Sequence, residues 1–280
     1  MIFEIDSDTS LYYRTWEPSG GNSENAGNVI IVHGYAEHSG RYEYAGQYLS
    51  RKGFRVFAYD HPCHGQSAGS RALVSSIDDL VLKLEYFVKF VKKSDKLSVH
   101  AKTFMIGHSM GGVVSALYAS GSGSEIDGLI TSGAAVMPLP ELKGLPKKLA
   151  EKASFFFPEL GTIPLDPGKL SRDENVVKDY KSDPLNYNGK VKLKTAVELS
   201  GAVERIEKLA EKIIVPLLVL HGSDDRLADP EGSRLLFEKA SSKDKQIRIF
   251  EGLRHEIFNE PEKDSVLETV REWIDLRLSR

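Results

Sequence analysis

The chain has 280 residues, of which 41% are hydrophobic and 28% charged, with a net charge of −3. It is long enough for a full hydrophobic core, and so balanced a charge gives no electrostatic reason to expect nucleic acid as a partner. A single cysteine, Cys63, excludes an intramolecular disulfide and fits a reducing compartment.

Glu4, Asp6 and Asp8 stand where a secretory leader would be basic and then apolar. No apolar run approaches the length of a membrane span. The expectation is a cytoplasmic protein, with peripheral membrane contact left open. "IFEI" and "LYYRTW" predict two opening strands, followed by a Gly/Ser/Asn loop at 18–28. "VIIVHG" (29–34) is a continuous β-branched run, as in a strand buried on both faces. A helix is expected from Arg41 to Lys52, a strand over 54–60, and a polar loop "HPCHGQSAGS" after it. Ile77, Leu80, Val81, Leu84, Phe87, Val88 and Val91 mark an amphipathic helix over 77–93. A strand over 103–106, a helix beginning near 110 and a strand over 126–134 follow.

The pattern changes from Val136 to about Ala202, which holds seven of the chain's 12 prolines. Short helical pieces alternate there with breakers, as in an irregular helical insertion. Strand (212–222), helix (230–240), strand (246–252) and helix (261–279) then resume the alternation. Such alternation predicts a mostly parallel sheet covered on both faces, with its site at the carboxyl ends of the strands.

"GHSMG" (107–111) fits G-x-S-x-G at a predicted strand-to-helix corner. Glycines are needed because the corner is sharp and the two backbones pass close together. The corner lifts the Ser109 hydroxyl off the sheet, and the helix start offers unpaired N–H groups to a developing oxyanion. A serine needs a base, and the base an orienting carboxylate. On this corner they follow in the order serine, acid, histidine. "VLHGSDDRLADP" (219–230) offers Asp224, Asp225 and Asp229, and "EGLRHEIFNEP" (251–261) offers His255. The oxyanion amides are expected from Met110 and from Tyr35, which follows His33-Gly34.

Six segments in order carry a resemblance: "HGYAEHSGRYE" (33–43), "YDHPCHGQSAGSR" (59–71), "GHSMGG" (107–112), "YKSDPL" (180–185), "HGSDDRLADPEG" (221–232) and "RHEIFNE" (254–260). The chain resembles the monoacylglycerol lipases of the α/β-hydrolase superfamily. The resemblance implies Ser109 as nucleophile, His255 as base and Asp225, rather than Asp224, as the acid. It matches Tyr35 and Met110 to the oxyanion positions. Glu37, Arg41 and His108 match residues lining the polar glycerol end of the pocket, and Tyr180 the cap tyrosine near it. It further implies an α/β-hydrolase core of 1–135 and 205–280 with a mainly helical cap over 136–204, a single-chain lipid ester as substrate, and no metal or organic cofactor.

Pro62-Cys63 departs from the family's loop, and the cap resembles it only at "YKSDPL". His61, Cys63 and His64 are too tightly spaced for a full zinc shell and read as loop hydrogen bonding. Asp60 reads as a loop-organising carboxylate, and His33 and His221 as structural. Phe155–Phe157, near Lys147, Lys148 and Lys152, suit either a membrane-docking face or a buried tunnel wall. The expected activity is hydrolysis of a monoacylglycerol or similar ester. The alternatives are a lysophospholipase or general carboxylesterase of the same fold, or a non-catalytic lipid-binding relative.

Overall fold

The computed structural model describes residues 1–5, 9–19, 27–94, 101–121, 125–137 and 147–279. Expectations for Asp6 and Asp8, for most of the 18–28 loop and for 138–146 lie outside the described residues. Eight strands form one sheet in the order β1-β2-β4-β3-β5-β6-β9-β10. They are β1 (Ile2–Glu4), β2 (Ser10–Trp16), β3 (Asn28–Val32), β4 (Arg55–Tyr59), β5 (Thr103–His108), β6 (Gly128–Ser132), β9 (Leu217–Gly222) and β10 (Lys245–Phe250). The β1–β2 and β2–β4 pairs are antiparallel and all other neighbours parallel.

The central strands read as unbroken apolar runs because both of their faces are covered. On β3, Ile30 and Val32 face a core completed by α2 (Ile77–Ser94), α3 (Met110–Ala119), α6 (Leu193–Leu209) and α7 (Pro230–Lys239). Val29 and Ile31 face the other core, completed by α1 (Glu43–Arg51) and α8 (Lys263–Leu278). All ten residues of α3 are buried. A helix apolar all round belongs inside a protein, and α3 is thereby fixed against the sheet.

The strand expected over 212–222 begins only at Leu217. Ala210–Lys212 is a turn of 3-10 helix, and Pro216 has no N–H to give to a ladder. Its carbonyl instead accepts from the Leu129 amide at 2.8 Å.

Between β6 and β9 the described chain leaves the main sheet. It forms α4 (Lys147–Phe156), β7 (Gly161–Pro164), α5 (Glu174–Ser182), β8 (Lys190–Lys192) and α6, with β7 and β8 paired antiparallel. The residue 204 named above as a boundary falls inside α6, which packs Ala202 and Ile206 into the sheet-side core. Phe155, Phe156 and Phe157 are 81%, 72% and 64% exposed, so they line no buried tunnel in this conformation. Among the described residues, no helix is long and apolar enough to cross a membrane.

Candidate active site

Ser109 joins β5 to α3 with φ +50° and ψ −118°, a conformation that an L-residue adopts only under constraint. The constraint comes from both sides. The Ser109 amide donates to the Ser132 carbonyl at 3.0 Å, and the Ala135 amide donates to the Ser109 carbonyl at 3.3 Å. A Cβ on Gly111 would lie 2.1 Å from the Val32 carbonyl oxygen, so only glycine lets α3 sit this close to β3. Met110 opens α3, where amides have no acceptor within the helix.

The loop after β3 comes to the same place. A Cβ on Gly34 would be 3.1 Å from the Ser109 Cβ. Tyr35 follows, then Ala36 in the left-handed region at φ +65°. The Ala36 carbonyl accepts from the Tyr187 amide at 2.9 Å and the Tyr180 hydroxyl at 3.0 Å, which clamps this turn from α5 and beyond.

His255 follows β10, and its Nδ1 donates to Asp225 Oδ2 at 2.7 Å. Asp225 follows β9, and the Leu227 and Ala228 amides donate to its Oδ1 at 2.8 and 2.9 Å. Burial alone would raise the Asp225 carboxyl, but His255 and His221 overcome it and hold the group well below the usual carboxylate range. Burial disfavours charge on His255. The Asp225 carboxylate outweighs it, with help from Glu256 and Glu37, and the imidazole is pushed above its ordinary value. With Nδ1 donating, Nε2 is the basic nitrogen. Asp224, by contrast, pairs with Arg226 at 3.0 Å near the surface.

His108 does not touch Asp225. Its Nδ1 donates to the Ser132 carbonyl at 3.0 Å, and its ring lies 4.7 Å from that of His255. Burial first, then the neighbouring His255, lowers it to about 4. It is neutral near pH 7, with Nε2 a bare acceptor.

Arg41 lies between two carboxylates. It makes a bidentate pair with Glu256, through Nη1 to Oε1 and through Nη2 to Oε2 at 2.7 Å, and donates to Glu37 Oε2 at 3.0 Å. Glu37 Oε1 accepts from the Gly34 amide at 2.6 Å and the Tyr42 hydroxyl at 2.7 Å. Burial would raise Glu37, but Arg41 and then His108 bring it down to about 2. The Tyr180 ring faces the Arg41 guanidinium at 4.8 Å.

Ser109, Tyr35, Met110, Glu37, His108, Tyr180, His255 and Glu256 line one cavity of about 90 Å³. It adjoins a larger one of about 620 Å³, the two sharing Ala135, Leu165 and Leu199 among their walls. The first is small beside ordinary ligand pockets, whereas the larger one mixes apolar walls such as Ile163, Leu165, Leu199 and Val203 with charged residues such as Asp166, Lys169 and Arg226. Arg41 stands behind the wall, acting through Glu37 and Glu256.

The arrangement matches known proteins along nearly its whole length. The family described as serine aminopeptidase, S33, matches residues 23–262. The monoglyceride lipase of Rattus norvegicus is 36% identical over 96% of this chain and 88% of its own. The monoacylglycerol lipase of Mycolicibacterium smegmatis is 34% identical over 94% of this chain and 92% of its own. The chain belongs to the monoacylglycerol lipase family. It is an α/β-hydrolase and a carboxylic ester hydrolase.

Solved structures agree. The monoacylglycerol lipase of Paleococcus ferrophilus superposes with a TM-score of 0.83 at 33% identity, covering 95% of this chain and 99% of that one. The monoglyceride lipase of Saccharomyces cerevisiae, solved with a substrate analog, gives 0.86 at 25% identity over 99% and 94%.

Asp60 organises its loop, accepting from the Ser39 and Gln66 amides at 2.7 Å each. His61 and His64 are likewise held by loop hydrogen bonds, the His61 amide donating to His33 Nε2 and His64 Nδ1 to the Pro62 carbonyl, both at 2.9 Å. Two residues of this monoacylglycerol lipase relative were missed in its sequence. Glu256 carries a legible signal, an acid beside the histidine of the last loop. His221, read above as structural, carries none for its contact with Asp225, whose Oδ2 it meets at 2.9 Å.

Proposed function

We propose that the enzyme cleaves monoacylglycerols, or similar single-chain lipid esters, to a fatty acid and glycerol, with Ser109, His255 and Asp225 as its triad. The observation that carries this reading is the Asp225–His255 hydrogen bond beside a strained Ser109, all at strand ends of one sheet. His255 Nε2 takes the Ser109 proton as the hydroxyl oxygen attacks the ester carbonyl. The Tyr35 and Met110 amides hold the oxyanion. Asp225 fixes the imidazole tautomer and stabilises the imidazolium. His255 then protonates the leaving alcohol, and water repeats the cycle on the acyl-enzyme.

Glu37, His108, Tyr180 and, through its carboxylate partners, Arg41 form the polar end that receives the alcohol. The carboxylates there are already engaged by Arg41, Tyr42 and a backbone amide, which favours a neutral polyol over the free amine an aminopeptidase must bind. The acyl chain leaves past Ala135, Leu165 and Leu199 toward the larger cavity. Residues 136–204 act as a cap, and α4 rests against lipid through the exposed Phe155–Phe157 with Lys148 and Lys152 beside them.

A panel of monoacylglycerols, a diacylglycerol, a lysophospholipid and a short aryl ester tests the substrate. Preference for the lysophospholipid would sink the monoacylglycerol assignment. Fluorophosphonate labelling, abolished by Ser109→Ala, tests the chemistry. Folded protein that fails to label would favour a non-catalytic lipid-binding role.

A further inference from the structure

Asp225 Oδ2 accepts two imidazole donors rather than one. His255 Nδ1 approaches at 2.7 Å and His221 Nε2 at 2.9 Å. His221 lies at the end of β9 and Ser233 in α7, and both are fully buried. His221 Nε2 is also 3.1 Å from the Ala228 carbonyl oxygen. A carbonyl and a carboxylate only accept, so Nε2 carries the proton. Nδ1 is then a bare acceptor, and the Ser233 hydroxyl donates to it at 2.6 Å. The bonds run in one direction: Ser233 to His221, His221 to Asp225.

We propose that His221 and Ser233 are positioning residues that hold the Asp225 carboxylate and temper its grip on His255. The proposal rests on Asp225 and His255 being the acid and base. Each donor on Oδ2 draws charge from it, so His221 competes with His255 for the same oxygen. Ser233 keeps His221 in the tautomer that donates. Without that hydroxyl, His221 can present a lone pair to the carboxylate and repel it. The other charged or titratable groups facing His255 are Glu37 from the loop after β3, His108 at the end of β5, and its neighbour Glu256. None of them touches His221, so its variants leave those interactions in place.

The experiment is kcat/KM against pH on a soluble short-chain ester for wild type, His221→Leu, His221→Gln and Ser233→Ala. It is paired with the downfield proton NMR signal of the His255 Nδ1–H. With one donor gone, Asp225 binds the imidazolium more strongly, so the acidic limb of His221→Leu should rise by about one pH unit. Ser233→Ala should shift it the same way by less. His221→Gln, which restores an N–H near Nε2, should return it toward wild type. An acidic limb that stays put or moves down in both His221→Leu and Ser233→Ala overturns the proposal. If His221→Leu does not fold, Ser233→Ala, which removes one oxygen, decides alone. Activity surviving in His255→Ala would instead bring down the acid–base assignment, and the NMR signal reports the Asp225–His255 bond without turnover.

Discussion

Single residues set two adjacent aspartates apart as candidates for the acid. Asp225 is buried against His255 while Asp224 pairs with a surface arginine. Asp225→Asn should therefore cost most of the activity and Asp224→Asn little, measured as kcat/KM on one ester. Ser109→Ala and His255→Ala should each cost on the order of 10⁶ in kcat. As the proposed base, the raised His255 would have to be neutral, so kcat/KM should fall on acidification through a midpoint above the ordinary histidine value of 6.5. Glu37→Gln strips a buried arginine of one partner and should lower stability by about 3 kcal/mol in urea unfolding. Candidate nucleophile, base and acid were legible here because each follows a strand in a short motif. His221 was not, since a histidine before glycine at a strand end carries no sign of which way its ring turns.

At the scale of elements, the corner between β5 and α3 depends on contact without side chains. Gly111→Ala places a methyl group into the Val32 carbonyl and should cost roughly 3 kcal/mol or more, with activity falling in the surviving folded fraction. Helix α4 makes the opposite kind of case. Its phenylalanines touch solvent, so a triple change of Phe155, Phe156 and Phe157 to serine should leave hydrolysis of a soluble ester intact. Binding to anionic vesicles should fall by on the order of 1,000-fold or more, since each of the three rings contributes about 1.5–3 kcal/mol when it enters an apolar phase. Sedimentation with vesicles measures the loss. The elements themselves could be placed from apolar period and glycine punctuation. Exposure of the three rings could not, because an apolar triplet reads alike against a core and against water.

Over the whole molecule, the parallel sheet was readable because alternation fixes topology, whereas the region between β6 and β9 lacks one period and had to be seen. The buried histidines make the fold sensitive to acid. Burial, then His33, lowers His64 to about 3, and His108 stands at about 4. Below about pH 6.5 the unfolded chain takes up protons that these folded sites refuse, so stability falls. Each should cost about 2 kcal/mol at pH 5 relative to pH 7. His255, raised in the fold, opposes them. The urea midpoint of His64→Gln should consequently drop less than that of wild type between pH 7 and pH 5. The left-handed backbone at Ser109 sets stability against function in another way. Glycine would relax that corner by about 1 kcal/mol while removing the hydroxyl. A population of variants selected only for resistance to heat would drift toward glycine at this position, and the more robust its members became, the fewer of them would still turn over an ester.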